Sequence, residues 1–138
     1  MVFRTRIAQK PDVGDTEGFP LKEETHQIIG AAFDVHNALG CGLLEKPYEN
    51  ALVVELSSRG IPFVQQRCYP ITYKSVNVGQ YTPDLVVFDS VIVEIKAIDQ
   101  VANIERAQVL NYLRISKLKL GLILNFKHPR LQHERIAL

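Results

Sequence analysis

The heptad Leu120-Gly121-Leu122-Ile123-Leu124-Asn125-Phe126 constrains this chain most: its apolar side chains leave no polar face. Such a run is too short for a typical helix and reads as a strand buried inside a sheet. Leu85–Phe88 and Val91–Ile95 are rich in β-branched residues and flank a short turn at Asp89-Ser90, so they join the same sheet. Ile61–Gln66 and Tyr69–Lys74, around Pro70, read as short strands, and the tail Leu131–Leu138 as an edge strand or a last turn. Helical periodicity starts near Lys22, where Ile28, Ala32, Val35 and Leu39 share a face, and Gly40 stops it. A second helix runs from about Glu45 to Arg59, with Pro47 in its first turn and Gly60 after it. A third spans Asn103–Ile115. The order helix, helix, strands, helix, strand predicts a mixed α/β (α+β) domain around one central sheet.

At 138 residues there is room for one domain, taken as residues 21–138. Residues 1–20 carry Lys10-Pro11-Asp12, Gly14-Asp15, Gly18 and Pro20 and read as a flexible N-terminal arm. The 46% hydrophobic and 22% charged composition excludes an intrinsically disordered chain. A net charge of +1 gives no global basic field, so any nucleic acid must be met through a local patch. Cys41 and Cys68 form no CxxC pair, and His26, His36, His128 and His133 lack zinc-finger spacing, which argues against structural zinc. The sequence shows no membrane-length apolar run and no signal-peptide core, so the expected setting is the cytoplasm, away from membranes.

The chemistry concentrates in Tyr81-Thr82-Pro83-Asp84 and, after nine intervening residues, Glu94-Ile95-Lys96. Strand alternation puts Glu94 and Lys96 on one face and Val93 and Ile95 on the other. Charges inside a Val/Ile strand are costly unless compensated. A second carboxylate and a divalent cation compensate them, and Asp84 on the preceding strand supplies the carboxylate. The geometry is restrictive: a strict two-residue hairpin at Asp89-Ser90 puts Asp84 and Glu94 on opposite faces. An odd loop such as Phe88-Asp89-Ser90 with a bulge puts Asp84 opposite Glu94, or Asp84 leaves the ladder after Pro83 and bends into reach. Two carboxylates, a backbone carbonyl and waters suit Mg²⁺ or Mn²⁺. The Lys96 ammonium would orient the attacking water and offset charge in the transition state. The competing reading is a surface hairpin with an exposed Glu–Lys pair.

Other elements add to this. At about 100° per residue Glu45 falls within roughly 20° of Leu52 and Leu56, amid the apolar stripe of the second helix. A carboxylate there either caps the helix or binds something, and Glu49, one turn on, substitutes if Glu45 merely caps. Tyr48 reads as core. Gln108 and Tyr112 share a face of the third helix, where they can reach a phosphate or form a polar margin. His36 edges the first helix's apolar stripe and reads as packed. Arg106, Arg114, Lys117 and Lys119, and then Lys127, His128 and Arg130, offer local phosphate contacts or plain surface solvation.

Gly42-Leu43-Leu44-Glu45-Lys46-Pro47-Tyr48 matches a GxxExxY signature. Pro83-Asp84, Val93-Glu94-Ile95-Lys96-Ala97, Gln108-Val109-Leu110-Asn111-Tyr112-Leu113 and Gly121-Leu122-Ile123-Leu124-Asn125-Phe126 follow in order. Together, over about residues 25–128, they resemble the GxxExxY protein family, a prokaryote-associated group within the PD-(D/E)XK nuclease-like superfamily. The resemblance implies a restriction-endonuclease-like core, a central mixed β-sheet flanked by helices. It implies Mg²⁺-dependent hydrolysis of phosphodiester bonds, with DNA as substrate. Asp84 and Glu94 would be metal ligands, the Ile95 carbonyl a third, Lys96 the catalytic lysine, and Glu45 the helix carboxylate completing the metal site. Gln108 and Tyr112 match the QxxxY element of RecB-type relatives. A core this small, with few residues for target recognition, would act as a homodimer or with a partner protein. The alternative is a non-catalytic nucleic-acid-binding or complex-forming module keeping the nuclease fold.

Overall fold

A computed structural model describes residues 21–138 and the backbone of residues 2–7. The elements are β1 (Val2–Ile7), α1 (Lys22–Leu39), α2 (Glu45–Ser58), β2 (Phe63–Gln65), β3 (Tyr69–Tyr73), β4 (Val76–Tyr81), β5 (Leu85–Val87), β6 (Val91–Lys96), α3 (Asn103–Ser116), β7 (Leu120–Asn125) and β8 (Gln132–Ala137). The main sheet has the order β1-β8-β7-β6-β5-β2, and β3-β4 form a separate ribbon. All neighbours in the main sheet are antiparallel except β6 and β7, which run parallel with α3 as their crossover.

The central strands earn their places by composition. Every residue of β7 is buried, as its unbroken apolar pattern requires. The two faces of the sheet carry two cores. On one, Val91, Val93 and Ile95 of β6 and Leu120, Leu122 and Leu124 of β7 pack with Ile28, Ala31, Tyr48 and Leu52 of α1 and α2. On the other, Ile92 and Ile123 pack with Val109, Leu110 and Leu113 of α3. Glu94 and Lys96 alternate with the first set and therefore face the α3 side.

Three expectations change. The tail Gln132–Ala137 is a strand but lies inside the sheet between β7 and β1, because β1 covers its outer edge. The stretch expected as a flexible arm contains that covering strand, Val2–Ile7; the remainder, residues 8–20, lies outside the described residues. Val76–Tyr81 is a further strand, and pairing with β3 gives it its structure. Among the described residues no helix is long and apolar enough to cross a membrane.

Candidate active site

The site is built at the end of β6. Leu85 pairs with Val93 and Val87 with Val91, so the turn is the three-residue Phe88-Asp89-Ser90. Phe88 and Asp89 take φ of 57° and 54°, and Ser90 N–H closes the turn on the Val87 carbonyl at 3.1 Å. The ladder ends at Leu85; extending its register puts Asp84 opposite Glu94, as the odd-loop alternative requires, and Asp84 itself lies in a bend just ahead of β5. The same register puts Pro83 opposite Ile95. Proline has no N–H to give the Ile95 carbonyl a ladder hydrogen bond, so pairing stops at the site. The Asp84 carboxylate accepts from the Ile95 N–H in its place, at 2.8 Å. A residue's N–H and C=O leave a strand on the same side, so the Ile95 carbonyl points toward Asp84 too.

Two carboxyl groups are thus held together, Glu94 buried and Asp84 half-buried. Burial, then the neighbouring Asp84 charge, push the Glu94 carboxyl up to about 8. Burial also raises Asp84, with Glu49 adding to the rise; Lys96 pulls both carboxyls back down. Tyr81, at the end of β4, donates its hydroxyl to Glu94 Oε1. Burial and the adjacent Glu94 raise the Tyr81 phenol far above its ordinary range, so it stays a neutral donor. Lys96 is half-buried, two residues beyond Glu94 on the same face.

Helix α2 contributes two carboxylates in different surroundings. Glu45 opens the helix and is exposed rather than turned to the core, because the helix begins beyond the end of the sheet; its Oε1 accepts from Ala97 N–H at 3.3 Å. Glu49 is the buried one, 3% exposed. Its Oε2 accepts from Lys46 Nζ at 3.2 Å, Gln65 Nε2 at 2.6 Å and Gln66 Nε2 at 2.9 Å. Tyr48 is core: it stacks on Phe126 at 4.5 Å, and its hydroxyl donates to the Gly40 carbonyl at 2.6 Å and accepts from Leu43 N–H at 3.2 Å. The glycine-to-tyrosine spacing of the α1–α2 linker therefore has a structural reason: the tyrosine fastens the loop ahead of α2.

On the α3 side Tyr112 is half-buried and stacks on Tyr81 with centroids 3.6 Å apart, which links it to Glu94 through one hydroxyl. Gln108 is exposed on the same helix. His36 is buried against Phe126, with Nε2 2.8 Å from the His128 carbonyl, a packed role. Arg106 is not a free phosphate contact: its Nε lies 2.8 and 2.9 Å from the two oxygens of buried Glu134. Sequence reasoning missed Tyr81, although it opens the stretch ending in Asp84, and the Gln65-Gln66 pair that holds Glu49. A polar pair following the apolar Phe63-Val64 was the available signal.

Among the described residues no group of three His, Cys, Asp or Glu side chains gathers as a metal cluster. Mg²⁺ needs less, because it keeps several waters and is held by one or two carboxylates plus substrate phosphate. Half-buried Asp84 and buried Glu94, mutually repelling and beside the Ile95 carbonyl, fit that donor set. The mixed sheet flanked by helices, with this carboxylate pair and a lysine at a strand end, defines a restriction-endonuclease-like core. The chain belongs to the PD-(D/E)XK nuclease superfamily, whose family model matches residues 22–136. No curated protein and no solved structure matches it.

Proposed function

We propose that this chain is a divalent-metal-dependent nuclease hydrolysing phosphodiester bonds in DNA, of the GxxExxY type. The observation that carries this is the three-residue turn placing Asp84 and Glu94 on one face beside Lys96. Asp84, Glu94 and the Ile95 carbonyl would hold Mg²⁺ or Mn²⁺. The cation, when bound, supplies charge stabilisation and an acidified water. Lys96 orients the attacking water and offsets phosphoryl charge. Tyr81 fixes the Glu94 carboxyl, and Tyr112 braces Tyr81 from α3. Glu49 adds negative charge behind Asp84, and Glu45 holds the backbone just after Lys96 through Ala97. Gln108, exposed one turn before Tyr112, is available to a substrate phosphate. Two copies related by two-fold symmetry would present a site to each strand of a duplex.

Incubation of the purified protein with supercoiled, linear and single-stranded DNA in Mg²⁺ or Mn²⁺ tests this reading. Cleavage should stop with chelator and fall by a factor on the order of 10² or more in Asp84→Ala and Lys96→Ala. Cleavage that survives either substitution removes this site. Binding without cleavage, unaffected by Glu94→Ala, would favour a non-catalytic module.

A further inference from the structure

Apart from Tyr81 at its root, the β3–β4 ribbon has no part in the carboxylate site, yet its composition and shape are unusual. It stands apart from the main sheet, and Tyr73, Val76 and Val78 are 65%, 62% and 60% exposed. The chain around it, residues 56–83, contains Arg59, Arg67 and Lys74 and not one acidic residue. Arg67 is paired with Asp89 at 2.7 Å, whereas Lys74 lies over the Tyr73 ring, 5.5 Å from its centroid, with its charge at the tip. That tip is a two-residue turn between paired Tyr73 and Val76, with Lys74 and Ser75 at φ of 48° and 64°. Such turns favour Asn-Gly, because ordinary side chains are strained at positive φ. A lysine in this place gives up turn stability for an exposed ammonium at the ribbon's tip.

The ribbon's root leads to the site. Tyr69 and Ile71 pack against the α3 core, and Tyr69 stacks 6.4 Å from Tyr81, whose hydroxyl holds Glu94. Six residues of β4 span about 17 Å, or roughly five nucleotide steps at ~3.4 Å each. A two-stranded ribbon also fits the width of a DNA major groove, where valine side chains meet thymine methyls and a tip lysine meets phosphate.

We propose that the β3–β4 ribbon grips duplex DNA in its major groove beside the scissile phosphate, with Lys74 contacting the backbone; this rests on the nuclease reading above. The test is binding of a fluorescein-labelled DNA duplex by the full chain in chelator, read by anisotropy across a salt series. Lys74→Asn with Ser75→Gly installs the preferred turn, so this variant should melt no lower than wild type. It should bind several-fold more weakly, with a log–log salt slope shallower by about one. Ser75→Lys adds a tip cation and should bind more tightly, with a slope steeper by about one. Wild type that does not bind duplex, or tip variants indistinguishable from it, overturns the proposal. Cleavage in Mg²⁺ is scored separately. Tip-independent binding by an active nuclease overturns the ribbon's role alone. Tip-dependent binding by an inactive protein supports that role and overturns the nuclease reading.

Discussion

At the scale of single residues, Glu94 is the carboxyl of the site displaced furthest from its ordinary range. Its carboxyl is raised from 4.5 to about 8, so across that window the unfolded chain has lost a proton that the folded chain keeps. The unfolded state then binds fewer protons, and stability falls as pH rises from about 4.5 to about 8 and levels off outside. The metal-free protein should therefore melt progressively lower over this window. Glu94→Gln should flatten the decline, and Mg²⁺ added near pH 8 should raise the melting temperature of wild type more than that of the variant. A thermal melt series in buffered chelator and in Mg²⁺ measures both. Asp84, Glu94 and Lys96 were legible in the sequence because charges in Val/Ile-rich strands demand compensation. Tyr81 was not, since a tyrosine closing a strand is ordinary until its hydroxyl meets a carboxylate. Glu45 and Glu49 fall on the same helix, and only the point where α2 passes the end of the sheet decides which of them is buried.

Within elements, the turn Phe88-Asp89-Ser90 sets the register on which everything else depends. Counting strand residues left a two-residue hairpin, an odd loop or a bend at Asp84, and the pairing of Val87 with Val91 selects the three-residue turn, with Asp84 in a bend just ahead of β5. Helix α3 is held close to β7 by Gly121, where an added Cβ would come within 2.6 Å of Val109 Cγ1. Gly121→Ala should cost about 1–3 kcal/mol by overpacking, measurable by urea denaturation. It should also loosen the Tyr112–Tyr81 stack that α3 supplies. Tyr48→Phe keeps the stack on Phe126 but removes the hydroxyl from Gly40 and Leu43, and should cost about 1 kcal/mol in the same measurement. Helix boundaries were readable because Gly40 and Gly60 punctuate them. Strand β4 was not, because all but its last residue are exposed and its Asn77 and Gly79 weaken the strand pattern.

For the whole molecule, a near-neutral chain builds one mixed sheet between two unequal cores and sets Asp84 beside buried Glu94 where the β5–β6 pairing ends. The sequence carried the identity of the central strands, since burial on both faces leaves a compositional mark. It did not carry their order. β8 has buried His133 and Glu134 where an interior strand would be apolar, so its position between β1 and β7 could not be read from hydropathy. On the proposed reading, the separate ribbon would let a small core with little net charge meet a polyanion through one turn rather than over its whole surface. On the proposed function, Asp84 and Glu94 share a divalent cation. Anomalous scattering from crystals grown in Mn²⁺ tests it most directly. The account predicts a peak about 2.0–2.2 Å from an oxygen of Asp84 and of Glu94, near the Ile95 carbonyl, and its loss in Glu94→Gln. A map without density there at saturating Mn²⁺, with Glu94 still bound only by Tyr81, would contradict it.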